Sequence, residues 1–333
     1  MTAGSRNDAA GGARGVAVVL GGCGFLGSHL CRALARGGRR VRVFDRPQAG
    51  RDRIADIADR VEVVEGDAAR ADDVLSALEG ADTVFHLVHT TVPGSSMEDP
   101  SYDVESNVAA SVRWLSKLGQ TSVRRIIFVS SGGTVYGVPR SGLIDERHPT
   151  DPICSYGITK LALEKYVAMY AELAGVRHII LRPSNVYGEG QHLHHGQGVI
   201  GVLADRALRG EPLEVWGTGE SLRDYLYVGD FVGAAGRLLT YAGERHVFNV
   251  SSGEGHSVLD ILDILRRGLG GLPEVRHVAS RSFDVPVNVL DSSLLRGEVG
   301  WEPGVRLEEG VARVARWLRD ERPAEAGLTG AQT

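Results

Sequence analysis

The chain of 333 residues has few of the side chains that build disulfide frameworks or metal sites. Its three cysteines are scattered at spacings that match neither kind of pattern. His192, His194 and His195 lie close together, but no cysteine or carboxylate cluster accompanies them, so we predict no metal site. The scarcity of cysteine also favours a reducing compartment.

The sequence lacks the charge and the apolar runs that mark nucleic-acid-binding and membrane proteins. Its formal net charge is −5, with no concentrated basic segment for a nucleic acid. No apolar run approaches the roughly 20 residues that span a bilayer. Residues 1–13 and 323–333 are predicted to be flexible tails, and the first tail has no apolar core of a signal peptide. We therefore expect a cytoplasmic protein without a membrane or nucleic-acid partner.

What the sequence does contain is a regular alternation of short apolar runs and helical patterns. The runs, rich in Val and Ile, lie at 16–20, 41–45, 61–67, 82–88, 125–131 and 176–181. Helical patterns lie between them at 26–36, 71–78, 102–118 and 156–173. This alternation predicts an α/β fold with a Rossmann-type, doubly wound parallel sheet.

The alternation ends after residue 182, where a loop-rich stretch begins. A helical pattern and a strand-like run at 228–252 could return the chain to the main sheet. We predict a dinucleotide-binding domain of residues 14–182, rejoined by 228–252. Residues 183–227 and 253–322 are predicted to form a smaller, discontinuous substrate lobe.

A glycine-rich segment lies between the first apolar run and the first helical pattern. Residues 22–27 match G-x-G-x-x-G, and Gly21, Gly24 and Gly27 also fit G-x-x-G-x-x-G. Such glycines permit a tight turn and bring backbone N–H groups close to a pyrophosphate at a helix N-terminus. Because the motif follows a strand and opens a helix, it predicts a dinucleotide site rather than a plain connector.

Two carboxylates at strand ends bear on which dinucleotide binds. Asp45 ends the second run, where a carboxylate accepts hydrogen bonds from an adenosine ribose and repels a 2′-phosphate. Arg46 would tolerate such a phosphate, but Asp45 favours NAD over NADP. Asp67 closes the third run, and the sequence leaves open whether it contacts the adenine amino group or caps the next helix.

A tyrosine and a lysine in the segment SYGITK suggest proton-transfer chemistry. Tyr156 and Lys160 are four residues apart, so a helix places them on one face. An ammonium beside a phenol favours the phenolate and lowers a tyrosine pKa that is usually about 10. The pair therefore predicts a general acid/base that works near neutral pH.

Together these motifs resemble the extended short-chain dehydrogenase/reductases of the nucleotide-sugar epimerase and dehydratase type. The matching segments occur in family order between residue 16 and about residue 305. They are GGCGFLG, GD at 66–67, HL at 86–87, Asn107, SSGGTVYG, YGITK, RPSNVYGEGQ, RDYLYVGD and RSFDV. Each is short, but their joint occurrence in this order is specific.

The resemblance implies roles for individual residues. Tyr156 would be the catalytic acid/base, and Lys160 would orient the nicotinamide ribose and tune the phenol. The cofactor pocket would comprise this pair together with Gly21, Gly24, Phe25, Leu26, Gly27, Asp45, Asp67, Ala68, Leu87 and Asn107. The substrate diphosphate would be bound by Asn185, Arg223 and Arg281, since guanidinium groups suit phosphate oxygens. A surface salt bridge is the alternative role for either arginine.

The chain departs from the family pattern at Gly132. The family usually has a Ser or Thr there, four residues before the tyrosine of VYG, to hydrogen-bond the sugar hydroxyl. Ser131 or Thr134 could supply that hydroxyl, and the sequence does not decide between them. The Asp-Glu pair of the dehydratases is replaced by Gly133 and Thr134.

The resemblance thus implies an isomerase, an NAD-dependent nucleotide-sugar epimerase. It would oxidise C4 of a hexose, of the UDP-glucose/UDP-galactose type, to a transient ketone and reduce it on the other face. A 4-ketoreductase is the main alternative, and a 4,6-dehydratase or an inactive dinucleotide-binding protein is less favoured. The family's dimer bundle uses the helices at 102–118 and 156–173, so a homodimer is implied.

Overall fold

A computed structural model describes residues 15–140, 142–191, 193, 198–279 and 285–320. Its strands are β1 (Val16–Leu20), β2 (Arg40–Asp45), β3 (Val61–Glu65), β4 (Ala81–His86), β5 (Arg125–Val129), β6 (Arg177–Pro183), β7 (Asn185–Tyr187), β8 (Leu213–Trp216), β9 (Leu222–Tyr227), β10 (Val247–Val250), β11 (Gly255–His256), β12 (Val275–Val278) and β13 (Val287–Asn288). Its α-helices are α1 (Phe25–Arg36), α2 (Ala71–Ala77), α3 (Pro93–Glu98), α4 (Pro100–Asp103), α5 (Ala110–Leu115), α6 (Ser155–Ala174), α7 (Val199–Arg209), α8 (Val228–Leu238), α9 (Val258–Leu269), α10 (Ser293–Val299) and α11 (Leu307–Asp320). Among the residues described, no helix is both long enough and apolar enough to cross a membrane.

The main sheet has seven strands in the order β10-β6-β5-β4-β1-β2-β3, and every neighbouring pair is parallel. The strand order reverses direction between β1 and β4, which is where open α/β sheets form their ligand crevice. The carboxyl ends of the strands therefore meet at one edge beside this crevice. The predicted doubly wound sheet is confirmed.

Both faces of the sheet are covered, which explains the nearly continuous apolar strands. Successive side chains alternate between the two faces. Val19 and Ile127 pack into a core with α1 and α8, whereas Val18 and Phe128 pack into a core with α2, α5 and α6. All four side chains are fully buried. Continuous burial of this kind is typical of parallel sheets.

The element bounds differ from the predicted ones mainly at the carboxyl edge. The runs predicted as strands to residues 67, 88 and 131 leave the sheet at Glu65, His86 and Val129. Their last residues turn into loops over the sheet edge. The helix predicted at 102–118 is interrupted by a π-helical turn, Val104–Ala109, between α4 and α5.

A second layer of structure follows β6. Strands β11, β9 and β13 form a small sheet, with β7 also paired to β9, and β8 pairs with β12. Their apolar side chains pack with α7, α9 and α11 around Leu203, Ile261 and Val311. Strand β10 joins the main sheet beside β6. The chain thus leaves the main sheet after β6, returns to it at β10 and leaves it again.

Candidate active site

The loop between β1 and α1 is shaped by glycines that have no room for a side chain. Gly21 has a φ of +85°, and a Cβ on Gly27 would lie 2.1 Å from the carbonyl oxygen of Gly21. The Gly21 N–H donates to the carbonyl of Phe44 at 2.8 Å, which ties the loop to β2. Glycine at position 27 therefore lets α1 pack closely on the loop, as in loops that place a helix N-terminus beside a pyrophosphate.

Asp45, at the end of β2, lies beside this loop. Its Oδ2 accepts a hydrogen bond from the Cys23 N–H at 2.9 Å, and its Oδ1 accepts one from the Arg46 N–H at 2.9 Å. Burial raises the pKa of this carboxyl, against the opposite effect of the two hydrogen bonds. A carboxylate has about four acceptor positions, so two remain for ribose hydroxyls. The glycine cradle and this carboxylate fit NAD.

The apolar residues predicted in the cofactor pocket surround the same loop. Phe25 and Leu26 begin α1, and their half-buried side chains pack on the core of the small-sheet layer. The Leu87 N–H donates to the carbonyl of Leu20 at 3.1 Å, so the chain stays paired with β1 just beyond β4. Ala68 packs on the core that contains α2.

Asp67 is exposed and takes part in a local turn. Its Oδ1 accepts a hydrogen bond from the Ala69 N–H at 2.9 Å, and its own N–H donates to Asp73 at 3.0 Å. The N-cap residue of α2 is Arg70, so Asp67 does not cap that helix. Of the two roles that the sequence left open, the helix cap is wrong, and the adenine contact stays a prediction.

Asn107, inside the π-helical turn, is buried and engaged within the protein. Its Oδ1 accepts a hydrogen bond from the Thr90 N–H at 2.8 Å, and its Nδ2 donates to the carbonyl of Asp103 at 3.0 Å. These bonds fasten the loop after β4 to the helix. Within the predicted cofactor pocket, the side chain of Asn107 therefore holds the loop after β4 in place.

Tyr156 and Lys160 occupy the first turns of α6, at the carboxyl edge of the main sheet. The Lys160 Nζ lies 5.7 Å from the centroid of the Tyr156 ring and donates to the carbonyl of Val129 at 2.9 Å. Since Val129 ends β5, this bond fixes the ammonium at the strand end. The lysine residue is 3% exposed, so its charge is largely removed from water.

The sequence predicted that Lys160 lowers the pKa of the Tyr156 phenol. For the protein side chains alone, this prediction is wrong. Burial raises the pKa of Tyr156, and the charges of Cys154 and Asp103 raise it further. Burial also lowers the pKa of Lys160 to about 7, although Glu164 and Asp103 act to raise it. The prediction counted the neighbouring ammonium and omitted desolvation, which disfavours both charged forms.

The backbone around Gly132 explains the departure from the family pattern. A Cβ at this position would lie 2.3 Å from Leu290 Cδ1 and 3.0 Å from the carbonyl oxygen of Arg182, so no hydroxyl side chain fits there. Thr134 carries a buried Oγ1 that has no hydrogen-bond partner among the described residues. A Cβ on Gly133 would lie 3.9 Å from both the Ser131 Oγ and the Asn185 Oδ1. Both candidate hydroxyls therefore belong to the loop that follows β5.

Two of the three predicted substrate residues, Asn185 and Arg223, lie on strands of the small sheet. Asn185 on β7 donates through Nδ2 to the carbonyl of Asp224 at 3.0 Å. Arg223 on β9 is paired in register with Asn288 on β13. Asn288 is 1% exposed, and neither of its amide atoms has a partner among the described residues. Asn288 is thus a buried polar side chain on the strand beside Arg223, which the sequence did not indicate.

Four predicted residues cannot be placed. Arg281, His192, His194 and His195 lie outside the described residues. Within the part of the chain that is described, no three His, Cys, Asp or Glu side chains are grouped so as to hold a metal ion.

Sequence reasoning also missed a buried polar cluster beneath Tyr156. It consists of His89 after β4, Asp103 at the end of α4, and Ser155 and Thr159 on α6. Ser155 and Thr159 are within one turn of Tyr156, which was the available signal. Nothing local in the sequence brings His89 and Asp103 to this helix.

Comparison with known proteins identifies the family of the chain. A model of the NAD dependent epimerase/dehydratase family matches residues 17–251. A putative UDP-glucose 4-epimerase of Methanocaldococcus jannaschii is 32% identical over 304 residues, which are 91% of this chain and 98% of that protein. The crystal structure of UDP-glucose 4-epimerase from Thermotoga maritima with UDP-glucose has a TM-score of 0.86 at 31% identity and covers 92% of this chain and 99% of that one. The UDP-glucose 4-epimerase of Thermus thermophilus in complex with NAD has a TM-score of 0.85 at 30% identity and covers 92% and 100%.

With these matches, the fold and the site define an NAD-dependent enzyme of the isomerase class. The chain belongs to the NAD-dependent epimerase/dehydratase family. The resemblance predicted from the sequence motifs is therefore confirmed, as is NAD as the cofactor.

Proposed function

We propose that the protein interconverts the C4 epimers of a nucleotide-activated hexose, of the UDP-glucose/UDP-galactose type. The observation that carries the proposal is the position of Tyr156 and Lys160 at the sheet edge that also holds the glycine cradle and Asp45. The similarity to UDP-glucose 4-epimerases over nine tenths of the chain supports this substrate class.

In the proposed reaction the chain moves one proton. The phenolate oxygen of Tyr156 takes the proton of the sugar 4-hydroxyl and later returns it to the 4-oxygen. The glycine loop and Asp45 would hold NAD, which would supply the acceptor and donor of the C4 hydride and, when oxidised, a positive charge. Lys160, held by the Val129 carbonyl, has donors left for a ribose hydroxyl. Ser131 or Thr134 orients the sugar hydroxyl.

The diphosphate is assigned to the small sheet. Arg223 offers a guanidinium to the phosphate oxygens. Asn185 and Asn288, whose amide has no partner among the described residues, lie on the neighbouring strands. Burial of that amide without a partner costs free energy that a polar ligand would recover. In this proposal, holding the nucleotide at the diphosphate leaves the oxidised sugar free to turn over.

A dehydratase needs a second acid and base to remove water across C5 and C6. At the two positions before VYG the chain has Gly133, without a side chain, and Thr134, whose hydroxyl is a weak acid. The proposal therefore favours epimerisation, which is complete with one acid/base and one hydride carrier.

The test is to incubate the purified protein, without added cofactor, with UDP-glucose, UDP-galactose and their uronic and N-acetyl forms. Proton NMR of the anomeric signals should show one of these pairs approaching equilibrium from both sides. Turnover only of a keto-sugar with added NADPH would identify a reductase, and loss of the 6-hydroxyl a dehydratase. Bound NAD with no turnover of any sugar would refute the proposal.

A further inference from the structure

Asp103 is a fully buried carboxylate that the proposed reaction does not use. Its Oδ1 accepts hydrogen bonds from Thr91 Oγ1 and, at 2.9 Å, from Asn107 Nδ2. Its Oδ2 accepts one from Ser155 Oγ at 2.7 Å and lies 3.1 Å from Thr159 Oγ1. One side chain thus joins the loop after β4, the π-helical turn and the first turn of α6.

The two α6 contacts flank Tyr156. Ser155 precedes it, and Thr159 follows three residues later, where its Oγ1 is also 3.0 Å from the carbonyl of Tyr156. The Tyr156 N–H donates to Ser96 Oγ at 3.0 Å. The start of the helix is therefore fixed on one side by α3 and on the other by Asp103, so the carboxylate sets the direction in which Tyr156 leaves the helix.

His89 lies between Asp103 and the phenol ring. Its Nε2 is 3.5 Å from Asp103 Oδ1, and its ring centroid is 4.6 Å from that of Tyr156 in an edge-to-face arrangement. Its side chain is 6% exposed. Burial, and secondly the charge of Lys160, lower the pKa of His89 to about 4, although Asp103 acts to raise it. A neutral imidazole therefore packs against the phenol.

We propose that Asp103 is a positioning residue for Tyr156: it anchors the first turn of α6 directly and restrains the phenol ring through His89. This positioning role depends on the proposed function only in the experiments that measure turnover. Burial acts to raise the pKa of Asp103, but the contact with His89 and the hydrogen bonds from Thr91 and Ser155 hold it well below its usual range. The lowered pKa favours the ionised form of the anchor near neutral pH.

The same charge acts on the reacting pair. The groups that face Tyr156 are His89, Lys160, Cys154 and Asp103, and the charge of Asp103 raises the pKa of Tyr156. It also raises the pKa of Lys160, as Glu164 does. Removing the charge should therefore lower both values, whereas loosening the helix alone should move neither.

The test is Asp103→Asn in the NAD-loaded enzyme. An amide has one acceptor oxygen, so it must turn its NH₂ group toward the donors of Asn107 and Thr91 or toward those of Ser155 and Thr159. We expect kcat to fall by roughly tenfold or more, as a misplaced reacting group costs, with KM for the sugar changed less than twofold. Both limbs of the pH profile of kcat should move to lower pH by about one unit.

A second readout is independent of any sugar. The tyrosinate absorbance near 295 nm, taken as wild type minus Tyr156→Phe, should titrate at lower pH in Asp103→Asn. If no sugar is turned over, the proposed function fails and this titration alone decides the role of Asp103. An unmoved titration and pH profile would show that the charge of Asp103 does not act on Tyr156, and wild-type kcat in the same variant would overturn the positioning role.

Two further variants guard against a fold defect. Asp99→Asn makes the same change at the N-cap of α4, where the carboxylate accepts a hydrogen bond from the Tyr102 N–H, and should leave kcat and the pH profile unchanged. Thr159→Val removes one bond to Asp103 and keeps its charge. It should lower kcat without moving the profile, and wild-type kcat in this variant would contradict the anchor.

Discussion

Burial dominates the ionisable side chains of the candidate site. Tyr156 and Lys160 lie close together, yet the pKa of each moves away from the value that favours its charged form. The free energy needed to remove a charged group from water exceeds the stabilisation that one neighbouring charge provides. Burial therefore disfavours both the phenolate of Tyr156 and the ammonium of Lys160.

Tyr156→Phe should abolish turnover and leave the cofactor bound. The variant keeps the ring that packs on His89 and loses only the oxygen that accepts the proton. General acid/base catalysis contributes about 10²- to 10⁴-fold, so kcat should fall by that amount. NAD retained after gel filtration, measured by absorbance, is the control. Unchanged turnover would remove this residue from the mechanism.

The buried Lys160 predicts that stability depends on pH. The unfolded chain keeps the lysine proton up to pH about 10.4, whereas the folded chain releases it above about 7. Between these values the unfolded state binds more protons, so this group makes stability rise with pH. The free energy of unfolding of wild type minus that of Lys160→Met should therefore increase from pH 7 to pH 10.

Urea denaturation at four pH values measures this difference. Lys165→Met removes an exposed lysine from the same helix and supplies the baseline. A flat or falling difference for Lys160→Met would mean that Lys160 remains charged in the folded protein.

At the scale of elements, α6 is held on the sheet by buried polar contacts. Glu164 accepts two hydrogen bonds from Arg182 of β6, at 2.9 and 2.6 Å, and another from Ser130 Oγ just after β5. The glutamate and arginine side chains are 2% and 5% exposed. Since Glu164 is one turn beyond Lys160, these contacts fix the catalytic face of the helix over the strand ends.

The turn between β1 and α1 yields a prediction with a matched control. In Gly27→Ala the new Cβ would meet backbone atoms of Gly21 and Gly22, which cannot move away. We expect a loss of roughly 1–3 kcal/mol in the free energy of unfolding and weaker NAD binding. Gly236→Ala on the exposed side of α8 meets nothing within 4 Å and should stabilise by about 0.5–1 kcal/mol.

Urea denaturation and NAD titration of the two variants provide the measurements. If Gly27→Ala binds NAD as wild type does, close packing of α1 on the loop is not required for the cofactor.

Element prediction from sequence succeeded where the signal was local. Strands β1 to β6 and helices α1 and α6 follow from apolar periodicity and were predicted within two residues at each end. The π-helical turn around Asn107 was not predicted, since its register depends on contacts of Asn107 with the loop after β4. The helix propensities of residues 104–109 carry no information about contacts with a distant loop.

At the scale of the whole molecule, the site depends on the repeated crossing between the two layers. Strand β10 returns to the main sheet, and the chain then leaves it again for β11 and β13. This path brings Leu290 against Gly132 and Asn288 beside Arg223. The residues predicted for catalysis and for substrate binding thus come from distant parts of the chain.

An apolar stripe on α6 supports the predicted homodimer, which we propose forms there. Ile158, Tyr166, Met169 and Leu173 are 54%, 36%, 42% and 78% exposed and lie within an arc of about 80° on the helix. Light scattering should give twice the chain mass of 35.6 kDa. Met169→Glu with Leu173→Glu should give a monomer, because charges would be buried in the contact.

The control for that pair is Leu259→Glu, which charges an exposed leucine of α9 and should leave the dimer intact. A monomeric wild-type protein would refute the proposed dimer.

The sequence by itself determined the Rossmann sheet, the glycine-rich loop and the placement of Tyr156 and Lys160 on one helix. Each depends on residues close together in the chain: apolar periodicity, glycines at a strand–helix turn, and two side chains one helical turn apart. Such patterns act through local sterics and helix geometry, so they can be recognised without knowing the fold.

Only the tertiary structure decided the chemistry around that pair. It excluded a side chain at Gly132, because Leu290 occupies the space. It placed Asp103 and His89 under Tyr156 and reversed the expected direction of the phenol's pKa shift. Burial and long-range contacts set these properties, and both arise only when segments far apart in the chain pack together.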